Sequence, residues 1–159
     1  MAVRRLPAPF LAAALIAGAL GCSDSDPEAA PAACLEGPGT YLEALRDAPE
    51  RVELAGGTPI SDCLVPSQEG GELAEVGSAM ITAATRLNAG ARSDPDGDET
   101  FRLGYLIGAA QRGADDTAGI HTDLIRRLNT AARFDPSGTP PASFERNFGR
   151  GFQAGRESG

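Results

Sequence analysis

Residues 98–113 read DETFRLGYLIGAAQRG. Phe101, Leu103, Tyr105, Leu106 and Ile107 spread over more than one face of a helix, so a helix here must be covered on most sides. Asp98 and Glu99 suit its first turn. Gly104 and Gly108 stand four apart, and small residues at that spacing open a groove for the backbone of a second helix. In lipid such grooves drive helix pairing; in a chain this polar they predict close packing of soluble helices. A central helix of this kind requires other helices around it.

Those helices can be read outward from it. Leu73, Val76, Met80, Ala83, Ala84 and Leu87 keep helical spacing and predict a long helix over about 72–91. Residues 93–99 break the chain. Asp115 and Asp116 oppose the end of a helix and favour the start of one, so the next helix is expected from about Thr117. Ile120, Leu124, Ile125, Leu128 and Ala132 line it, with Arg133 in its last turn. After Pro136, Pro140 and Pro141, a last helix over about 142–153 carries Phe144, Phe148 and Phe152 in one i, i+4, i+8 row, with Arg146 and Arg150 opposite. Gly151 and Gly155 form a second groove beside that row. Near the N-terminus, Thr40 and Glu43 have capping-box spacing ahead of Tyr41, Leu42 and Leu45. Strand-like alternation and internal repeats are not evident. The expected fold is all-α, a small bundle of four to five helices over residues 34–159.

The chain starts differently. Arg4 and Arg5 precede the apolar run 11–20, LAAALIAGAL. That run is shorter than the roughly 20 residues that span a bilayer, and it fits the apolar core of an export signal. It ends in Ala19-Leu20-Gly21-Cys22. These residues resemble the processing site of bacterial lipoprotein precursors, in which a small residue precedes the cysteine that is lipidated. Gly21 and Cys22 match; Ala19 and Leu20 stand in the reverse of the preferred order. The resemblance covers only the first 22 residues. It implies a signal peptide over 1–21, lipidation at Cys22, export, and a membrane partner through the N-terminal lipid on the cell membrane or outer envelope. The rival is a simple secretory cut after Ala17-Gly18-Ala19, which leaves Cys22 an ordinary thiol.

The chain has three cysteines. With Cys22 lipidated, Cys34 and Cys63 remain as a pair, and an exported compartment favours their oxidation. Residues 22–33 are acidic, contain two prolines and lack large apolar side chains. They are expected to be a disordered, lipid-anchored tether.

Composition narrows the chemistry. The formal charge is −8 over 159 residues, which argues against nucleic acid or an anionic membrane as a face-on partner. All 14 basic residues are arginine, so lysine-dependent catalysis and phosphate-loop lysines are excluded. No serine-nucleophile pattern is present. Asp94, Asp96, Asp98 and Glu99 place carboxylates at nearly alternate positions, as a weak Ca²⁺ site requires. The full EF-hand spacing fails, because Glu99 and Tyr105 occupy the places of its glycine and its glutamate. The same stretch reads equally as a solvated turn, in which Asp96 and Glu99 form a second capping box. His121, the only histidine, lies among Asp115, Asp116 and Asp123 and offers a general base for a hydrolase. The competing reading places it at the edge of an apolar stripe. Phe144, Phe148 and Phe152 either close the core or form a docking ridge. Arg126, Arg127, Arg146, Arg150 and Arg156 gather in the last third, where they offer a surface to an envelope protein or an acidic wall polymer. The expected role is a non-catalytic envelope interaction or structural module without a cofactor. A calcium- or ligand-binding lipoprotein is the alternative, and a hydrolase using His121 the third.

Overall fold

The computed structural model describes residues 29–135 and 138–159. Over these residues the chain is an all-α bundle with five α-helices: α1 (Pro38–Ala44), α2 (Gly70–Ser93), α3 (Asp98–Asp115), α4 (Thr122–Ala131) and α5 (Ala142–Ser158). The expected signal peptide over 1–21, the expected lipidation site Cys22 and residues 23–28 of the expected tether lie outside the described residues. The folded part reaches upstream of Cys34: Ala30 and Ala33 are buried and Ala32–Leu35 form a 3₁₀ turn. Residues 30–33 therefore belong to the domain rather than to a tether.

The central helix is α3, as its apolar coverage requires. Every residue from Leu103 to Ala110 is buried. Its mate is α5, and the contact is made by backbone. A Cβ on Gly104 would lie 2.1 Å from the Phe148 carbonyl oxygen, and one on Gly108 2.1 Å from that of Phe152. In return, a Cβ on Gly151 would lie 2.0 Å from the Phe101 carbonyl oxygen and one on Gly155 2.1 Å from that of Tyr105. Contacts advance in the same direction along both helices, so α3 and α5 run parallel. The seam also reveals a short repeat that apolar spacing does not announce. Phe101-x-x-Gly104-Tyr105-x-x-Gly108 matches Phe148-x-x-Gly151-Phe152-x-x-Gly155 position for position. Each glycine meets the carbonyl of the residue equivalent to the one its counterpart meets, which is a local two-fold relation. Such close approach suits Cα–H···O contacts between the helices.

Polar side chains fix both ends of this pair. Asn147 donates from Nδ2 to the Gly97 carbonyl at 2.7 Å, just ahead of α3. At the other end Arg112 donates to the Glu157 carbonyl at 2.7 Å, and Arg156 pairs with Asp115 at 2.5 Å. A third close approach seats Gly113 on the loop before α2, where a Cβ would lie 2.2 Å from the Ser61 carbonyl oxygen.

That loop is held by Cys34–Cys63, whose Cα atoms are 5.5 Å apart. The disulfide is present as expected, and both cysteines are fully buried. The Tyr41 hydroxyl donates to the Cys34 carbonyl at 2.9 Å, and its burial pushes the phenol well above its ordinary range. Within the loop two short antiparallel strands, β1 (Glu53–Leu54) and β2 (Thr58–Pro59), pair Glu53 with Pro59 and Leu54 with Thr58. They are too short for alternation to show in the sequence. The core joins Tyr41, Leu45, Val52 and Ile60 from this N-terminal part to Met80, Leu103, Leu106 and Leu128 from the helices.

Two helix starts differ from their expected caps. Neither capping box forms. Gly37, at φ 91°, precedes α1, with Pro38 opening the helix, and Thr40 instead donates to Glu36. Gly97 is the residue before α3, so Asp96 stands one place too early to cap it. The helix α4 begins at Thr122 rather than Thr117, because Ala118 (φ 50°) and Gly119 (φ 86°) turn left-handed and interrupt any helix there. It also ends before Arg133. Asn88 of α2 closes this end, donating to the carbonyl of Ala131, the last helical residue, and to that of Arg133 just beyond, at 2.8 Å each.

Candidate functional site

His121 sits at the turn into α4. The left-handed pair Ala118–Gly119 reverses the chain after α3, and the His121 carbonyl then accepts from the Ile125 N–H at 3.0 Å, starting the helix. The same reversal drives the imidazole inward, where it is fully buried. Nδ1 lies 2.9 Å from Thr117 Oγ1 and Nε2 2.8 Å from Gln68 Oε1. Gln68, itself buried, donates from Nε2 to the Cys63 carbonyl at 3.2 Å. The network therefore assigns the tautomer. With its amide nitrogen committed to Cys63, Gln68 offers only Oε1, so His121 Nε2 carries the proton. In the neutral ring Nδ1 accepts from the Thr117 hydroxyl. In the charged ring Nδ1 donates, and the hydroxyl turns to the Ala114 carbonyl 2.7 Å away.

This relay joins the disulfide loop to the turn between α3 and α4. A hydroxyl beside an imidazole that is oriented by a third group has the outline of a nucleophile and its base. Its burial opposes that use. Beyond Thr117 lies a groove of about 500 Å³, lined by Ser61, Asp62, Val65, Arg112 and Asp116 among others. Thr117 also lines the groove but is only 1% exposed, and His121 is 0% exposed, so almost no surface of the pair is open to a substrate. The arrangement is suited to holding the loop in place.

The expected grouping of His121 with carboxylates does not form. Its ring nitrogens are taken by Thr117 and Gln68. Asp115 turns to Gln111 and Arg156, whose hydrogen bonds hold its carboxyl below the usual carboxylate range. Asp123 pairs with Arg126, which lowers it likewise. Asp116 lines the groove. Gln68 and Thr117 were missed as partners. Thr117 is four residues away and within reach of a local argument, whereas Gln68 is 53 residues away and carries no local signal.

The acidic loop diverges. The Asp94 side chain folds over Gly97, where a Cβ would lie 2.6 Å from Asp94 Oδ2. Asp98 reaches Arg102 at 3.5 Å. Glu99 crosses Gly90 of α2, and Asp96 faces Arg146 and Arg150. Among the described residues no three histidine, cysteine or carboxylate side chains group as a metal site would need. The phenylalanine row stacks along α5, with Phe144 and Phe148 centroids 5.5 Å apart and Phe148 and Phe152 6.5 Å apart. Phe144 is buried against Phe134 at 4.9 Å; Phe148 and Phe152 are half-buried against the core. This face packs on the core; the three rings do not stand exposed together.

The relay makes stability depend on pH through a single histidine. Burial holds the His121 imidazole below its ordinary range, near 6.5 in the unfolded chain. The contribution of the neutral ring is fully present above that value. It falls as pH drops through it, because the unfolded chain takes up a proton that the folded one resists, and it levels off below the folded pKa. Urea melts between pH 8 and 5 should show this loss in the parent, and a His121→Gln variant should be nearly flat over the same range. Equal slopes in both would contradict the assignment.

Comparison with known protein families, with characterised proteins and with solved structures finds no match for the chain. No described helix is long and apolar enough to cross a membrane.

Proposed function

We propose that the protein is an exported, lipid-anchored helical domain that acts as a non-catalytic interaction or structural module of the cell envelope. The observation that carries this reading is the disulfide. Cys34–Cys63 takes both cysteines of the folded domain into one buried bridge, leaving Cys22 as the single remaining thiol. A structural disulfide belongs to an oxidising compartment. Cys22 stands behind Gly21, at the end of the apolar run, where a lipoprotein precursor carries its modified cysteine. The sealed His121 relay supports the non-catalytic part. One acyl chain binds a membrane only marginally, and two or more anchor firmly. The diacylglyceryl group of the lipoprotein class meets that need.

Cys22→Ala is the test. The parent should sediment with membranes and carry a lipid mass on its N-terminal peptide. The variant should move almost wholly to the soluble fraction and lose that mass. A variant that stays with membranes overturns lipid anchoring at Cys22. The calcium alternative has no grouped carboxylates to draw on among the described residues. The arginines of the last third remain the surface offered to an acidic envelope partner.

A further inference from the structure

We infer that the end of the bundle bearing Ile120 is the face the anchored protein lays against the bilayer, with Ile120 entering the interfacial region. This rests on the lipid-anchored reading. Three observations converge on that end. The first is where the chain joins the fold. Ala30 is buried, and its N–H donates to Glu72 Oε2 at 3.1 Å in the first turn of α2. Ala29 is only seven positions along the chain from Cys22, a span of no more than about 25 Å even fully extended. A domain of this length has a radius of gyration of roughly 14 Å, so the anchor holds the start of α2 within about one domain diameter of the membrane and favours contact at that end.

The second is Ile120 itself. At 43% exposure it is the exposed large apolar side chain among the described residues. It follows the left-handed pair Ala118–Gly119, the turn that sends His121 inward and leaves its neighbour outside. A non-glycine residue at positive φ is uncommon, and here the turn sets Ile120 in solvent.

The third is its surroundings. Ile120 stands on the rim of a groove of about 220 Å³ between α2 and α4, floored by Leu73, Gly77 and Leu124. Gly70 opens α2 in the same wall, two residues from the Glu72 that holds Ala30. The charged rim is one acid and one base, Asp123 and Arg127. A balanced rim around an apolar centre fits zwitterionic headgroups over acyl chains. With one acid against one base, this rim has no excess positive charge to hold an anionic polymer. The occupant is therefore a lipid surface.

The chain has no tryptophan, so one can be placed as a sole reporter. Ile120→Trp puts it on the proposed face. Gly149→Trp puts the same indole on the outer side of α5, where a Cβ meets nothing within 4 Å. Each lipidated full-length protein is reconstituted in phosphatidylcholine vesicles with and without chain-brominated lipid, a contact quencher. Emission of the Ile120→Trp protein should fall at least two-fold with brominated lipid, while that of the Gly149→Trp protein changes little. Equal quenching in both proteins, or none in Ile120→Trp, overturns the inference. So does a blue shift of the Ile120→Trp emission that rises with protein concentration without vesicles, which would assign the face to a second copy. A parallel arm couples Cys22 to a synthetic dialkyl maleimide lipid. Absence of native lipid mass then counts against the anchoring reading alone, and quenching in the synthetic arm still decides the orientation.

Discussion

Gly108→Ala should destabilise the domain by about 2–3 kcal/mol, although alanine is the better helix former by about 1 kcal/mol. The new methyl would lie 2.1 Å from the Phe152 carbonyl oxygen and 3.0 Å from the Arg156 nitrogen. Both are backbone atoms of a helix, so no rotamer change can relieve the clash. The two helices must separate, and separation lengthens the reciprocal contacts at Gly104, Gly151 and Gly155 as well. Gly149→Ala supplies the internal control. It lies in the same α5 helix with open space around its Cβ, and it should stabilise by about 0.5–1 kcal/mol through helix propensity and reduced chain entropy. Urea or thermal melts followed by circular dichroism measure both. Changes of the same sign at the two positions would show that the seam is not what makes Gly108 necessary.

Removal of the disulfide has the larger effect. Cys34 and Cys63 are separated by 29 residues, and closing a loop of that size contributes about 3–4 kcal/mol in the chain-entropy model. Small domains are stable by only about 5–15 kcal/mol in total. A Cys34→Ala/Cys63→Ala variant should therefore lose a large part of its stability. The loss adds to a change in the folded state, since the bridge fixes the turn that presents the Cys63 carbonyl to Gln68 and, through Gln68, to His121. The variant should also lose part of the pH dependence that His121 confers. Intact-mass measurement of the parent after alkylation under denaturing, non-reducing conditions should show no modification at Cys34 or Cys63. Melting of the variant within a degree of the parent would contradict the assigned contribution.

The helical skeleton was legible because its apolar period is continuous. The long helix expected over 72–91 spans Gly70–Ser93, and the one expected from Asp98 starts there. The last helix was placed at its start and runs on to Ser158. Spacing alone was weaker at the helix starts. Thr40 with Glu43 and Asp96 with Glu99 have the separation of a capping box, yet a glycine holds the place before each helix. The start of α4 was lost to Ala118, whose positive φ no pattern announces. The glycine pairs were visible as grooves, but the sequence did not say that the two grooves fill each other. That follows only once the carbonyls of Phe101, Tyr105, Phe148 and Phe152 are placed in space. The site fared worst. The sole histidine marks itself by rarity, but proximity along the chain points only to carboxylate neighbours. Folding turned Asp115 and Asp123 to arginines and brought in a glutamine from beyond the disulfide loop.

The local two-fold relation between α3 and α5 carries a cost in specificity. A seam built from the same pattern on both sides cannot by itself distinguish α5 from the α5 of another molecule, or from a second α3. What selects the correct mate lies outside the glycines: Asn147 on the Gly97 carbonyl, Arg156 on Asp115, and the short connection from α4, which keeps α5 at high effective concentration beside its own α3. Exchange of α5 between two copies would preserve every contact of the seam. Asn147 and Arg156 distinguish α5 from a second α3, but against the α5 of another copy it is the connecting segment that keeps the chain paired with itself.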